Sequence, residues 1–78
     1  MNYNKYVRAF EETFDITKDQ AIKMKYGMND MWDSVTHMML IADLEEKFNI
    51  EFDMNDTIEL NSFDNGLEIL REKYNVEF

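Results

Sequence analysis

The sequence predicts an all-α fold: a small bundle of three main helices plus one short helix, in a single domain spanning residues 1–78. Three observations carry that expectation. Three stretches repeat their apolar residues with the period of an α-helix. The one stretch that alternates like a strand, Ile50-Glu51-Phe52-Asp53, has no partner elsewhere, and a lone short strand is not stable. Finally, 78 residues suffice for only one compact core, and a domain of this size buries about 60% of the surface its unfolded chain exposes.

In the first helical stretch Tyr3, Val7, Phe10 and Phe14 recur at i, i+4, i+7 and i+11, with Tyr6 beside them and Arg8, Glu11 and Glu12 pointing elsewhere. From Asp15 to Met31 the chain is mixed and polar, with Gly27 its strong punctuation. It reads as a long connection with a turn near Ala21 and Ile22, and long loops inside small domains are usually functional. A second helix starts at Asp33 or Ser34, either of which can cap it, and runs to about Phe48. Its core stripe is Leu40, Leu44, His37, Phe48 and Ile41, which share an arc of about 100°. Residues Asn49 to Leu60 are expected to form an irregular link with a short helix that supplies Ile58 and Leu60 to the core. Ser62 can cap the last helix, where Phe63, Leu67, Leu70 and Tyr74 fall within about 60° of one another. Gly66 inside it costs about 1 kcal/mol of helix propensity relative to Ala, which implies close packing against a neighbouring helix.

With no cysteine the chain has neither disulfides nor the ligands of the usual closed zinc sites. Eight basic against seventeen acidic residues give a net charge of −9. That charge repels nucleic-acid phosphates and anionic membranes and makes a basic protein the natural partner. Lys18, Lys23 and Lys25 are too few to form a nucleic-acid patch. The N-terminal MNYNKYVRAFEETF lacks a signal-peptide pattern, and no apolar run approaches the length of a membrane span, so a cytoplasmic monomer with no membrane insertion is expected.

The second helix carries Val35, Met39 and Ala42 opposite its core stripe, with Met38 at the edge and Asp43, Glu45 and Glu46 around them. An apolar patch rimmed with acid suits a docking surface for a basic, partly apolar partner. Methionine also suits a surface that must accept several partners. Scattered apolar side chains are, however, ordinary on any surface. His37 follows Ser34 by one helical turn, but there is no second histidine, no orienting group and no glycine-rich oxyanion turn, so catalysis is not expected. Trp32 reads as a loop aromatic covering the core. The run Asp53-Met54-Asn55-Asp56-Thr57-Ile58-Glu59 fails as a calcium loop, because Ile58 and Asp64 stand where glycine and a bidentate glutamate are needed.

An Asp-Ser pair opening a helix usually only caps it. Here, however, Asp33-Ser34-Val35 heads a helix ending in Leu44-Glu45-Glu46-Lys47-Phe48-Asn49-Ile50. This resembles the acyl carrier protein family around its phosphopantetheine-bearing Asp-Ser-Leu motif and the Leu-Glu-Glu-x-Phe-x-Ile pattern that follows it. The order of elements across the whole chain is similar too. There are departures: many members have Asp-Leu-Gly-x-Asp-Ser-Leu, whereas Asp30-Met31-Trp32-Asp33-Ser34-Val35 is one residue shorter, lacks glycine and places Trp32 before Asp33. Thr36 and Met39 stand where carriers of primary fatty acid synthesis tend to be acidic, which points to a discrete carrier of a specialised pathway.

The resemblance implies a non-catalytic carrier. Ser34 would bear a covalent phosphopantetheine added by a phosphopantetheinyl transferase, holding an acyl or aminoacyl group as a thioester. Asp33 would cap and orient the site, while Val35, Met38, Met39, Ala42, Glu45 and Glu46 would face the partners. Those partners would be an acyl- or aminoacyl-loading ligase and acyltransferase or synthase enzymes with basic docking patches. A phosphodiester at the first helical turn would meet unpaired backbone N–H groups. The competing expectation is an acidic helical interaction module, an adaptor or inhibitor, using the same face without a prosthetic group.

Overall fold

The computed structural model describes residues 1–78 apart from the side chain of Asn29. Its helices are α1 (Asn2–Phe14), α2 (Lys18–Ala21), α3 (Ser34–Phe48), α4 (Met54–Glu59) and α5 (Phe63–Lys73), with a 3-10 turn at Met28–Asp30 before α3. Among the described residues there is no strand, only an isolated antiparallel bridge between Lys25 and Ser62. The expected small all-α bundle is therefore what the chain forms.

The amphipathic stripe of α1 supplies the centre of the core. Tyr6 and Phe10 are fully buried, Val7, Ala9 and Phe14 are buried, and Tyr3 is half-buried. Phe10 sits edge-on to Phe63 of α5 and to Trp32, with ring centroids 5.1 and 5.5 Å away. α1 ends where Asp15 turns left-handed at φ 54°.

The stretch from Asp15 to Met31 is more ordered than its composition predicts. Thr17 caps α2 in a reciprocal box: Gln20 N–H donates to Thr17 Oγ1 (3.3 Å), and Thr17 N–H donates to Gln20 Oε1 (3.0 Å). Ala21 and Met24 reach the core. The chain then runs beside the α4–α5 link, where Tyr26 N–H donates to Asn61 O (2.8 Å) and Phe63 N–H donates to Met24 O (3.0 Å). These bonds bring Tyr26 next to the start of α3.

In α3, Leu40, Leu44, Ile41 and His37 face the core as expected, and Phe48 is half-buried. Asn49 closes the helix in a left-handed conformation, φ 54°. Lys47 links α3 to α1 through Glu12 (3.0 Å) and also reaches Asp43 (3.4 Å).

α4 corrects one expectation. Leu60 is fully buried, but Ile58 is 69% exposed. The cause is Asp56, whose carboxylate points inward, accepting from Lys73 Nζ (2.8 Å) and from the Tyr74 hydroxyl (2.7 Å). Two helical residues on, a side chain is rotated by about 200°, so an inward Asp56 forces Ile58 outward. Leu60, at about 40°, returns to the core.

Ser62 caps α5 by accepting from Asn65 N–H (3.0 Å). Phe63, Ile69 and Leu70 are buried, while Leu67 and Tyr74 are half-buried. The close approach implied by Gly66 is real. The Tyr6 hydroxyl donates to Phe63 O (2.6 Å) directly over Gly66. A Cβ on Gly66 would collide with Tyr6 Oη and lie 3.2 Å from Leu60 Cγ.

Candidate functional site

Ser34 is exposed at the first position of α3, and no hydrogen bond among the described residues engages its hydroxyl. Asp33 does the capping. Its Oδ1 accepts from the N–H groups of Val35 and Thr36, each at 3.0 Å. Thr36 Oγ1 accepts from Asp33 N–H (2.9 Å), and its single hydroxyl proton lies within reach of Met31 O (2.9 Å) and Asp33 Oδ1 (3.1 Å). The bonds from the Thr36 N–H and hydroxyl, together with that from Val35 N–H, hold the Asp33 carboxyl below its ordinary pKa.

This arrangement corrects one part of the sequence reading. The Val35 and Thr36 N–H groups are not free for a phosphodiester on Ser34, because Asp33 already occupies them. Of the early α3 donors, the N–H of Ser34 itself has no partner among the described residues.

Beside Ser34 lies a groove of about 510 Å³. Its walls are Met38 of α3 and Ile58 of α4, with Tyr26, Thr57 and Asn61 completing the lining. Buried His37 forms the floor. Behind His37 is Trp32, 0% exposed and stacked on it at 5.9 Å. Trp32 is therefore part of the core, deeper than a loop aromatic covering it.

The hydrogen bonds of His37 define its chemistry. Trp32 Nε1 can only donate, and it does so to His37 Nδ1 at 2.9 Å. The imidazole proton must then sit on Nε2, which donates to Thr57 O at 2.6 Å. Both ring nitrogens are thus committed, and neither is available to deprotonate Ser34. Breaking either bond leaves a buried polar group unpaired, at a cost of about 1–3 kcal/mol. The relay ties the loop before α3, the floor of the groove and α4 into one unit.

The outward face of α3 exposes Val35, Met38, Met39 and Ala42, as expected, with Glu46 also exposed beside them. Glu45 departs from expectation: it is half-buried, and its Oε2 accepts from Phe52 N–H at 2.9 Å. This bond ties the α3–α4 link to α3. Met54 and Ile58 of α4 extend the exposed apolar surface.

Sequence reasoning missed Tyr26, Thr57, Ile58 and Asn61 as neighbours of Ser34, because they arrive from two separate segments through long-range contacts. The Asp33-x-x-Thr36 spacing was a readable signal for the capping box. A second cavity of about 540 Å³, lined by Arg71 and Asn75–Phe78, brings together none of the sequence-predicted site residues. Among the described residues no group of three His, Cys, Asp or Glu side chains is placed to hold a metal ion, and no helix is long and apolar enough to cross a membrane.

Compared with known proteins, the chain matches no family model, no curated protein and no solved structure.

Proposed function

We propose that the chain is a carrier protein, with phosphopantetheine attached at Ser34 Oγ and an acyl or aminoacyl group held on the arm as a thioester. The observation that carries this reading is the position of Ser34: an exposed, unengaged hydroxyl at the head of α3, opening onto a groove with apolar walls. The motif resemblance around Asp33-Ser34 and Leu44-Glu45-Glu46 supports it independently.

Attachment needs a transferase to supply the base, since His37 is committed elsewhere. The Ser34 oxygen would form a bond to phosphorus as the pyrophosphate bond of coenzyme A breaks. The serine proton is lost and adenosine bisphosphate leaves. The prosthetic group would bring the thiol that a cysteine-free chain lacks. Asp33 would hold the first turn rigid while Ser34 stays free to react. Val35, Met39, Ala42 and Glu46 would offer basic partner enzymes an apolar centre with an acidic edge.

The test is intact mass after incubation with coenzyme A and a broad-specificity phosphopantetheinyl transferase, for wild type and Ser34→Ala. The expected result is one added phosphopantetheinyl group in the wild type only. An unmodified but folded wild type, with the transferase active on a control carrier, would replace this reading with the acidic interaction module.

A further inference from the structure

We infer that this carrier takes short-chain acyl or aminoacyl cargo and keeps it in the surface groove, because the Trp32–His37–Thr57 relay closes the way into the bundle. The inference rests on the carrier reading and adds the class of cargo.

An apolar tail carried on the arm at Ser34 has two places to go: along the groove between Met38 and Ile58, or through its floor into the core. The floor is His37, pinned on one side by Trp32 Nε1 (2.9 Å) and on the other by Thr57 O (2.6 Å). The second bond joins α3 to α4, so parting the two helices breaks it. α4 cannot swing away alone, since Asp56 is tied to Lys73 and Tyr74 at the end of α5.

Beyond the floor, packed aromatic rings fill the way. Trp32 is fully buried, with the rings of Phe10 and Phe14 both 5.5 Å from it and Tyr26 at 6.1 Å. A tail in the core would have to displace these rings, and close-packed interiors resist added methylenes. The groove, about 510 Å³ and open to solvent, must take the arm as well as the cargo, so room is left for only a short acyl group. His37 is thus a positioning residue that sets cargo length and takes no part in chemistry.

The test loads the full chain with butyryl-, octanoyl- and dodecanoyl-phosphopantetheine from the corresponding acyl coenzyme A, using the same transferase. Intact mass first shows whether Ser34 carries the group; no mass gain overturns both the carrier reading and this inference. On the loaded forms, thioester cleavage by hydroxylamine and Trp32 fluorescence are measured. Burial of each further methylene would slow cleavage about fourfold, so even two methylenes inside the bundle give roughly fifteenfold protection. The expected result is similar cleavage rates for octanoyl and dodecanoyl forms, with Trp32 emission unchanged. Strong protection of the dodecanoyl form with a shifted emission would overturn the inference and leave the carrier reading intact. His37→Ala is expected to create that protection for the dodecanoyl form. A folded variant matching wild type would show that the relay is not the barrier, and if the variant does not fold the wild-type series decides.

Discussion

Ser34 is free because its neighbour is not. The carboxylate of Asp33 accepts from the Val35 and Thr36 N–H groups, which makes Asp33 the N-cap, and the Ser34 hydroxyl has no hydrogen bond among the described residues. The two residues should therefore separate in their effects. Ser34→Ala is expected to change stability by no more than about 0.5 kcal/mol, as for surface substitutions away from special features. Asp33→Ala, although equally exposed, is expected to lower the melting temperature measurably, and equal melting curves for the two variants would refute this division. A second expectation concerns reactivity. With both nitrogens of His37 engaged, Ser34 has no activating base, so a fluorophosphonate probe should leave the chain unlabelled; labelling at Ser34 by mass spectrometry would contradict the assigned tautomer. The Asp-Ser pair and its place at a helix start were legible from the sequence, whereas the choice between them as cap was not. The role of His37 was hidden for another reason. Its partners lie five residues before it and twenty after it, and helical spacing says nothing about such bonds.

Among the elements, α5 gives the sharpest test of packing. Gly66→Ala gains about 1 kcal/mol of helix propensity, but the new Cβ meets Tyr6 Oη, which is fixed by its bond to Phe63 O. Overpacking of this kind costs about 1–3 kcal/mol, so the clash outweighs the propensity and the variant should melt lower than wild type. Tyr6→Phe removes the oxygen in the way. In a Tyr6→Phe background Gly66→Ala should therefore be much less damaging, and a thermodynamic cycle that proved additive would refute the contact. The helices α1, α3 and α5 were legible because each is long enough to show several turns of apolar period and begins or ends on a recognisable signal. α2 has only four residues, too few for a period, and its sole sequence signature is the Thr17 and Gln20 capping box. α4 is six residues long, and its orientation is set by a buried charge, Asp56, where an apolar stripe would be expected. That is why the sequence points Ile58 to the core although it lies at the groove.

Over the whole molecule, the net charge of −9 and the few strongly placed ion pairs pull in opposite directions. The exposed Lys47–Glu12 pair is of a kind worth about 0–1 kcal/mol and weakens with salt. Repulsion among seventeen acidic side chains also weakens with salt, and it involves far more charge. Repulsion should win, so sodium chloride is expected to raise the melting temperature at pH 7; a fall would mean that the pairs dominate. The pH response has a distinct source. The hydrogen bond from Lys73, aided by that from Tyr74, holds the Asp56 carboxyl below its ordinary pKa, and the Thr36 bonds do the same for Asp33. An unfolded aspartate titrates near 3.9, so in this window the unfolded chain binds more protons than the folded one. The stability from both groups is present above about pH 4 and is lost as pH falls through their folded values. The lysines act at the other end. Lys47 and Lys73 have raised values, the first mainly through Glu12 and the second through Asp56, and their contribution is lost only as pH rises through those values. Asp56→Asn isolates the acid limb. It removes the charge that faces Lys73 and should cost about 1–3 kcal/mol at pH 7, where wild-type Asp56 is ionised. Below the folded pKa of Asp56 the wild-type side chain is neutral as well, so the difference between the two melting temperatures should shrink toward zero as the pH falls. A gap that stayed constant from pH 7 to pH 2 would mean that the variant loses packing alone, and that the charge of Asp56 does not hold α4 against α5.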